Sequence, residues 1–191
     1  RPDLWPRRRC SPDGGPHTGM TARPASSPAP DPAIIDRIMV VMEAAFDPAY
    51  GEGWNRRQVA DALTLSSTHA VVVDASGTPI GDSDDSPDGT VAARAPAGFV
   101  LTRHVLDEEE LLLIAVIPGA RRRGVGAALI ELLFTAAQSR GVTRIFLEMR
   151  RGNPAIELYR KFGFEPIGER RNYYRMANGE RIDAITFARS I

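Results

Sequence analysis

Val116-Ile-Pro-Gly-Ala-Arg-Arg-Arg-Gly-Val-Gly-Ala-Ala-Leu-Ile-Glu131 is the stretch whose reading decides the fold. A strand-length apolar run, Leu111 to Ile117, leads into it, and Leu129, Leu132, Leu133 and Ala136 follow at helical spacing. Between strand and helix stand Arg121, Arg122 and Arg123, then Gly124, Val125, Gly126 and Ala127. The first turn of a helix leaves its N–H groups without partners, and the helix dipole adds roughly half a positive charge there. Glycines let a phosphate come close to the backbone, and arginines add fixed charge with fork-shaped donors. The turn therefore reads as a diphosphate cradle, the alternative being an ordinary arginine-rich helix start with incidental glycines. It lacks the Gly-Lys-Ser/Thr of a P-loop, and Leu129 stands where a dinucleotide fingerprint needs its third glycine.

Composition narrows the class. The chain has 191 residues, of which 43% are hydrophobic and 25% charged, enough for one domain with a core of its own. Net charge is zero, so no global basic surface argues for nucleic acid. Cys10 is the single cysteine, which excludes an intramolecular disulfide framework and fits a reducing cytosol. No apolar run approaches membrane-spanning length, the basic N-terminus lacks the apolar core of a secretory signal, and no metal-ligand pattern is evident.

Outward from the turn, the chain divides at about residue 31. Residues 1–31, rich in Pro, Gly, Ser and Arg, read as a disordered extension in which Met20 is a candidate start and Trp5 a candidate docking anchor. A domain over 32–191 follows. Ile34, Ile35, Ile38, Met39, Met42 and Ala45 share one helical face, with Asp31 placed to cap and Pro32 at the first turn. The loop Ala49-Tyr-Gly-Glu-Gly-Trp54 sets Tyr50 and Trp54 either against a substrate or beneath the core, and Asn55 caps a second helix. His69–Asp74 reads as a strand, followed by an acidic insertion over 75–96 with Asp82, Asp84, Asp85 and Asp88. That insertion is either a solvated loop or a flap for a basic partner.

Strands follow at Gly98–Arg103 and Glu109–Ile117, a helix over 124–140, and a strand at Arg144–Met149. Asn153, Pro154 and Gly163 bracket a further helix, and Phe164–Arg175 with Arg181–Ala188 form a hairpin about Asn178-Gly179. The order predicts an α/β fold, with a mixed sheet and helices on both faces.

Glu148 sits near the C-terminal end of its strand among Phe146, Leu147 and Met149. A carboxylate there serves either as a general base or as a partner for Arg144, Arg150 or another arginine. Tyr159, six residues beyond Asn153, is either a proton donor or a packing residue.

The spacing Arg121-x-x-Gly124-x-Gly126 resembles the pyrophosphate-binding turn of the GCN5-related N-acetyltransferases. Phe146-Leu-Glu-Met-Arg-Arg-Gly-Asn-Pro-Ala-Ile-Glu-Leu-Tyr-Arg-Lys-Phe-Gly-Phe-Glu165, with Arg170-Arg-Asn-Tyr-Tyr174, is similar to one branch, the bacterial ribosomal-protein alanine N-acetyltransferases. The likeness runs from Pro32 to Phe187 and is densest after Glu110. It implies the acyl-CoA N-acyltransferase fold, a mostly antiparallel central sheet with a parallel pair at the fourth and fifth strands. It implies acetyl-CoA as co-substrate and no metal. Ile114, Ala115 and Val116 would grip the pantetheine arm, Arg121 to Ala127 the pyrophosphate, and Asn153 would also touch CoA. Glu148 would be the base and Tyr159 the acid, with Tyr50, Trp54, Arg170, Tyr173 and Tyr174 around the acceptor. The implied partner is a ribosomal-protein N-terminus, met in the cytoplasm by a monomer or weak dimer without nucleic acid or membrane. A small-molecule amine, or CoA binding without turnover, are the alternatives. The chemistry favours an α-amine: its pKa of about 7.7–8.0 leaves roughly a tenth neutral at pH 7, against well under a thousandth of lysines.

Overall fold

A computed structural model of the chain describes residues 30–81, 94–176 and 178–191. Trp5, Cys10, Met20 and the acids Asp82, Asp84, Asp85 and Asp88 lie outside the described residues. Helix α1, Pro32–Ala45, opens where Asp31 Oδ1 accepts the Ala33 N–H at 3.0 Å, with Pro32 in the first turn. Helix α2, Arg56–Leu63, opens on a reciprocal cap: Asn55 Oδ1 accepts the Gln58 N–H at 3.0 Å, and Gln58 Oε1 accepts the Asn55 N–H at 2.9 Å. The remaining elements are β1 (Thr68–Val73), β2 (Gly98–Val105), β3 (Glu108–Val116), α3 (Val125–Ser139), β4 (Arg144–Arg150), α4 (Ile156–Lys161), β5 (Glu165–Arg175) and β6 (Arg181–Ser190).

Among the described residues one six-stranded sheet runs in the order β1-β2-β3-β4-β6-β5. The parallel pair is β3 with β4, the third and fourth strands rather than the fourth and fifth. β6 folds back from β5 and inserts between it and β4, antiparallel to both. Helices cover both faces. Leu129, Ile130 and Leu133 of α3 pack with Val100, Leu111, Ile145 and Leu147, and Ile38, Val41, Met42 and Val59 of α1 and α2 pack with Val72, Phe99, Leu101 and Leu113. The described ends of the 75–96 insertion return to the sheet. Ile80 N–H donates to Val72 O at 2.9 Å, and Arg94 Nε donates to Asp74 Oδ2 at 2.9 Å.

The sheet opens at one position. Thr102 pairs with Leu111 and Leu101 with Leu113, so Leu112 is an extra residue on β3. Such a bulge bends its strand and exchanges the faces its side chains point to. Leu111 accordingly belongs to the α3 core, whereas Leu113 and Ala115 belong to the α1 core. The β3–β4 register also ends here, at Leu111 with Leu147. Beyond it the two strands diverge, and the fork between them is the mouth of the site.

The opposite end of β3 is pinned. Glu109 is fully buried, and Arg140 Nη2, from just past α3, lies 2.6 Å from both its oxygens while the Thr102 hydroxyl donates as well. A buried carboxylate is tolerable only with its charge and lone pairs matched in this way. The pair locks α3 and β3 in register, so that the helix start falls at the fork.

Candidate active site

Alternation along β3 decides which backbone groups face the fork. Ile117 N–H donates to Ala97 O on the β2 side, so the polar backbone groups of Ile114 and Val116 point the other way. Opposite them, α3 begins at Val125 with Gly124 as its N-cap at φ +92, a conformation that favours glycine. The first helical hydrogen bond runs from Ala128 N–H to Gly124 O, so the N–H groups of Val125, Gly126 and Ala127 precede it, and no side chain caps them. A Cβ on Gly126 would meet Leu158 Cδ2 at 3.3 Å, so this glycine also lets α3 close on α4. Gly124, Gly126 and Ala127 at this helix start, together with the fork, line a cavity of about 730 Å³ that also reaches Asn153, Tyr159, Tyr50, Glu52 and Arg150.

The arginines of the turn differ in placement. Arg121 lines the cavity, but its Nε donates to Val116 O and its Nη2 to Ala45 O, each at 2.9 Å. Its guanidinium thus clasps the end of β3 to the end of α1 instead of standing free as a phosphate fork. All three arginines are exposed; Arg122 also lines the cavity and takes a positive φ of 62. Asn153 caps a turn rather than α4 itself: its Oδ1 accepts the Ala155 N–H at 2.9 Å, and the helix starts at Ile156.

Tyr159 is 5% exposed, its ring edge-on to Phe164 at 5.9 Å. Burial, and after it the charge of Glu52, push its phenol pKa upward, so it remains protonated at physiological pH. Glu148 lies on the face of β4 shared with Phe146 and Arg150, beside the cavity but not on its wall. Its arginine partner is Arg170, with Nε 3.5 Å from Oε2, rather than Arg144 or Arg150. Burial raises its carboxyl above the ordinary value, while the Arg170 charge and the nearby Thr186 and Tyr173 hydroxyls pull the other way.

Tyr174 links the two groups. Its phenol pKa is raised by burial and then by the charges of Glu148 and Glu52, with Tyr173 and Tyr159 also in range. Tyr173 is half exposed, edge-on to Tyr174 at 5.2 Å, with the Arg170 guanidinium 5.3 Å from its ring. Tyr50 is on the cavity wall, whereas Trp54 is partly buried against the α1 core and is not on that wall. Two wall residues carried no functional signal in the sequence. Glu52 looked like a polar residue between glycines, and Arg150 like a salt-bridge partner for Glu148. Among the described residues no cluster of His, Cys, Asp and Glu could hold a metal, and no helix is long and apolar enough to cross a membrane.

A mixed sheet forked at its parallel pair, with a bare helix start in the fork, is the class of the acyl-CoA N-acyltransferase folds. Residues 39–164 match the family model of the acetyltransferase (GNAT) family, and the chain belongs to that family. The [ribosomal protein bS18]-alanine N-acetyltransferase of Salmonella typhimurium is 46% identical over 93 residues, covering 48% of this chain and 62% of that protein. The match thus spans under two thirds of that relative's length. Among solved structures, the ribosomal-protein-S18-alanine N-acetyltransferase from Escherichia coli superposes with a TM-score of 0.66 at 28% identity, covering 85% of this chain and 91% of that one. Arabidopsis thaliana NAA60, solved with a bisubstrate analogue, shares the fold at a TM-score of 0.63 and 20% identity, over 85% of this chain and 95% of that one.

Proposed function

We propose that this chain transfers the acetyl group of acetyl-CoA to a protein N-terminal α-amine, that of the alanine beginning ribosomal protein bS18. The observation that carries the reading is the cradle of unpartnered amides at Val125, Gly126 and Ala127, set in a β3–β4 fork with Tyr159 on the wall. The kinship to bS18-alanine acetyltransferases supports that acceptor.

In this reading the amides of the α3 start and the exposed Arg122 and Arg123 hold the pyrophosphate, while Arg121 braces the turn. The fork-facing backbone of Ile114 and Val116, with Ala115 between them, aligns the pantetheine arm, and Asn153 borders it. Glu148 takes the amine proton through water, and the upward shift that burial gives its carboxyl makes it a better base than a free glutamate. The amine attacks the thioester carbonyl, the C–S bond breaks, and Tyr159 gives its proton to the departing thiolate. Tyr50, Arg170, Tyr173 and Tyr174 wall the acceptor. A ribosomal-protein acceptor places the reaction in the cytoplasm.

The test is incubation of the full chain with labelled acetyl-CoA, a panel of N-terminal peptides and a panel of small amines, read by mass spectrometry. Label on the α-amine of a peptide beginning as bS18 is expected. Label on polyamines or aminoglycosides alone overturns the acceptor, and CoA binding without thiol release on any amine overturns the enzymatic reading.

A further inference from the structure

Glu52 and Arg150 stand on the cavity wall, yet the chemistry above gives neither a task. Glu52 comes from the loop between α1 and α2, flanked by Gly51 and Gly53, and its side chain is 17% exposed. Arg150 ends β4 two residues past Glu148, on the same face, and is 12% exposed. Its Nε meets Glu52 Oε2 at 3.1 Å, and its guanidinium lies 3.7 Å over the Tyr50 ring. This joins the loop to the end of the catalytic strand. No hydrogen bond reaches Glu52 Oε1 among the described residues. The carboxylate is also close enough to the phenols of Tyr159 and Tyr174 for its charge to act on both.

An α-amine with a pKa of about 7.7–8.0 reaches the enzyme at pH 7 roughly nine-tenths protonated. It therefore enters the cavity as an ammonium, and removing that charge from water is costly unless an anion meets it. Glu148 stands off the cavity wall and is engaged with Arg170. Glu52 is on the wall with one oxygen unengaged. We propose that Glu52 Oε1 receives the α-ammonium of the acceptor, and that Arg150 and Tyr50 are the positioning residues that hold the carboxylate for it. Glu52 takes no proton in the reaction. It captures the charged amine, and the proton then leaves through water toward Glu148.

This assignment rests on the α-amine reading, and the experiment separates the two. A short synthetic peptide beginning with alanine and its N-acetylated counterpart are titrated calorimetrically into the full chain in the presence of CoA. Glu52→Gln should weaken the free-amine peptide at least tenfold and leave the acetylated peptide within twofold, with Glu52→Asp recovering part of the loss. Equal weakening of both peptides, or of neither, overturns the assignment, because a residue that merely shapes the loop does not distinguish an amine from an amide. A pH series on the unsubstituted protein decides the matter even if Glu52→Gln fails to fold. From pH 7 to 9.5 the free-amine peptide should lose affinity as its own amine becomes neutral, while the acetylated peptide stays flat. Parallel profiles overturn the assignment. If the unsubstituted protein binds and acetylates no α-amine peptide, the acceptor reading falls first and the Glu52 assignment falls with it.

Discussion

Replacing Glu148 with glutamine should lower kcat by about a hundredfold to a thousandfold, within the range a general base supplies. Binding of acetyl-CoA should stay within twofold, since Glu148 lies off the cavity wall and the cradle amides belong to α3. The pH profile carries a second signature. Burial lifts the Glu148 carboxyl above its ordinary 4.5, so the ionised form of the proposed base is lost at a higher pH than in a free glutamate. The acid limb of kcat/KM should therefore stand above 4.5 and disappear in the glutamine variant. Stability runs in the opposite sense. A carboxyl whose pKa is raised on folding binds its proton more tightly in the native state, so its ionisation costs stability as pH rises from the unfolded value through the folded one. Glu148→Gln removes that cost and should melt higher than the parent at pH 7, even though Arg170 loses its partner at a half-exposed position. A less active protein that melts lower would point instead to a structural ion pair.

The second large effect is at Tyr159. Tyr159→Phe should lower turnover about a hundredfold with little change in acetyl-CoA affinity, because it removes the proposed proton donor and keeps the ring. The ring is what packs: it lies edge-on to Phe164, and the backbone around it is fixed by Phe162 and Phe164 N–H groups donating to Tyr159 O at 3.1 and 3.0 Å. The substitution should therefore leave the melting temperature nearly unchanged. Stopped-flow detection of thiol release measures turnover directly, and unchanged turnover removes Tyr159 from the chemistry.

Much of the architecture was legible because local signals agree with one another. Asp31 with Pro32, Asn55, and Asn178-Gly179 are short-range signals whose energetics lie within a few residues, and the elements they bound stand where they predict. The Arg121–Ala127 turn was legible for the same reason. The rest depends on contacts distant in sequence. The extra residue at Leu112 leaves no mark in a run of apolar residues, since both faces of β3 are buried, yet it opens the fork. Arg121 reads as a phosphate ligand by spacing, but Ala45, 76 residues away, takes its guanidinium. Glu52 and Arg150 are 98 residues apart, and only the closing of the α1–α2 loop against β4 brings them together.

Acetyl-CoA titrated calorimetrically into the folded chain tests the central claim most directly, since everything else presumes that the α3 start receives a pyrophosphate. A one-to-one association is expected, weakened at least tenfold in Gly124→Val, where a branched side chain is forced to a φ of +92 that only glycine adopts readily. The absence of any heat of association with the parent protein, or equal affinity in both proteins, would contradict the account.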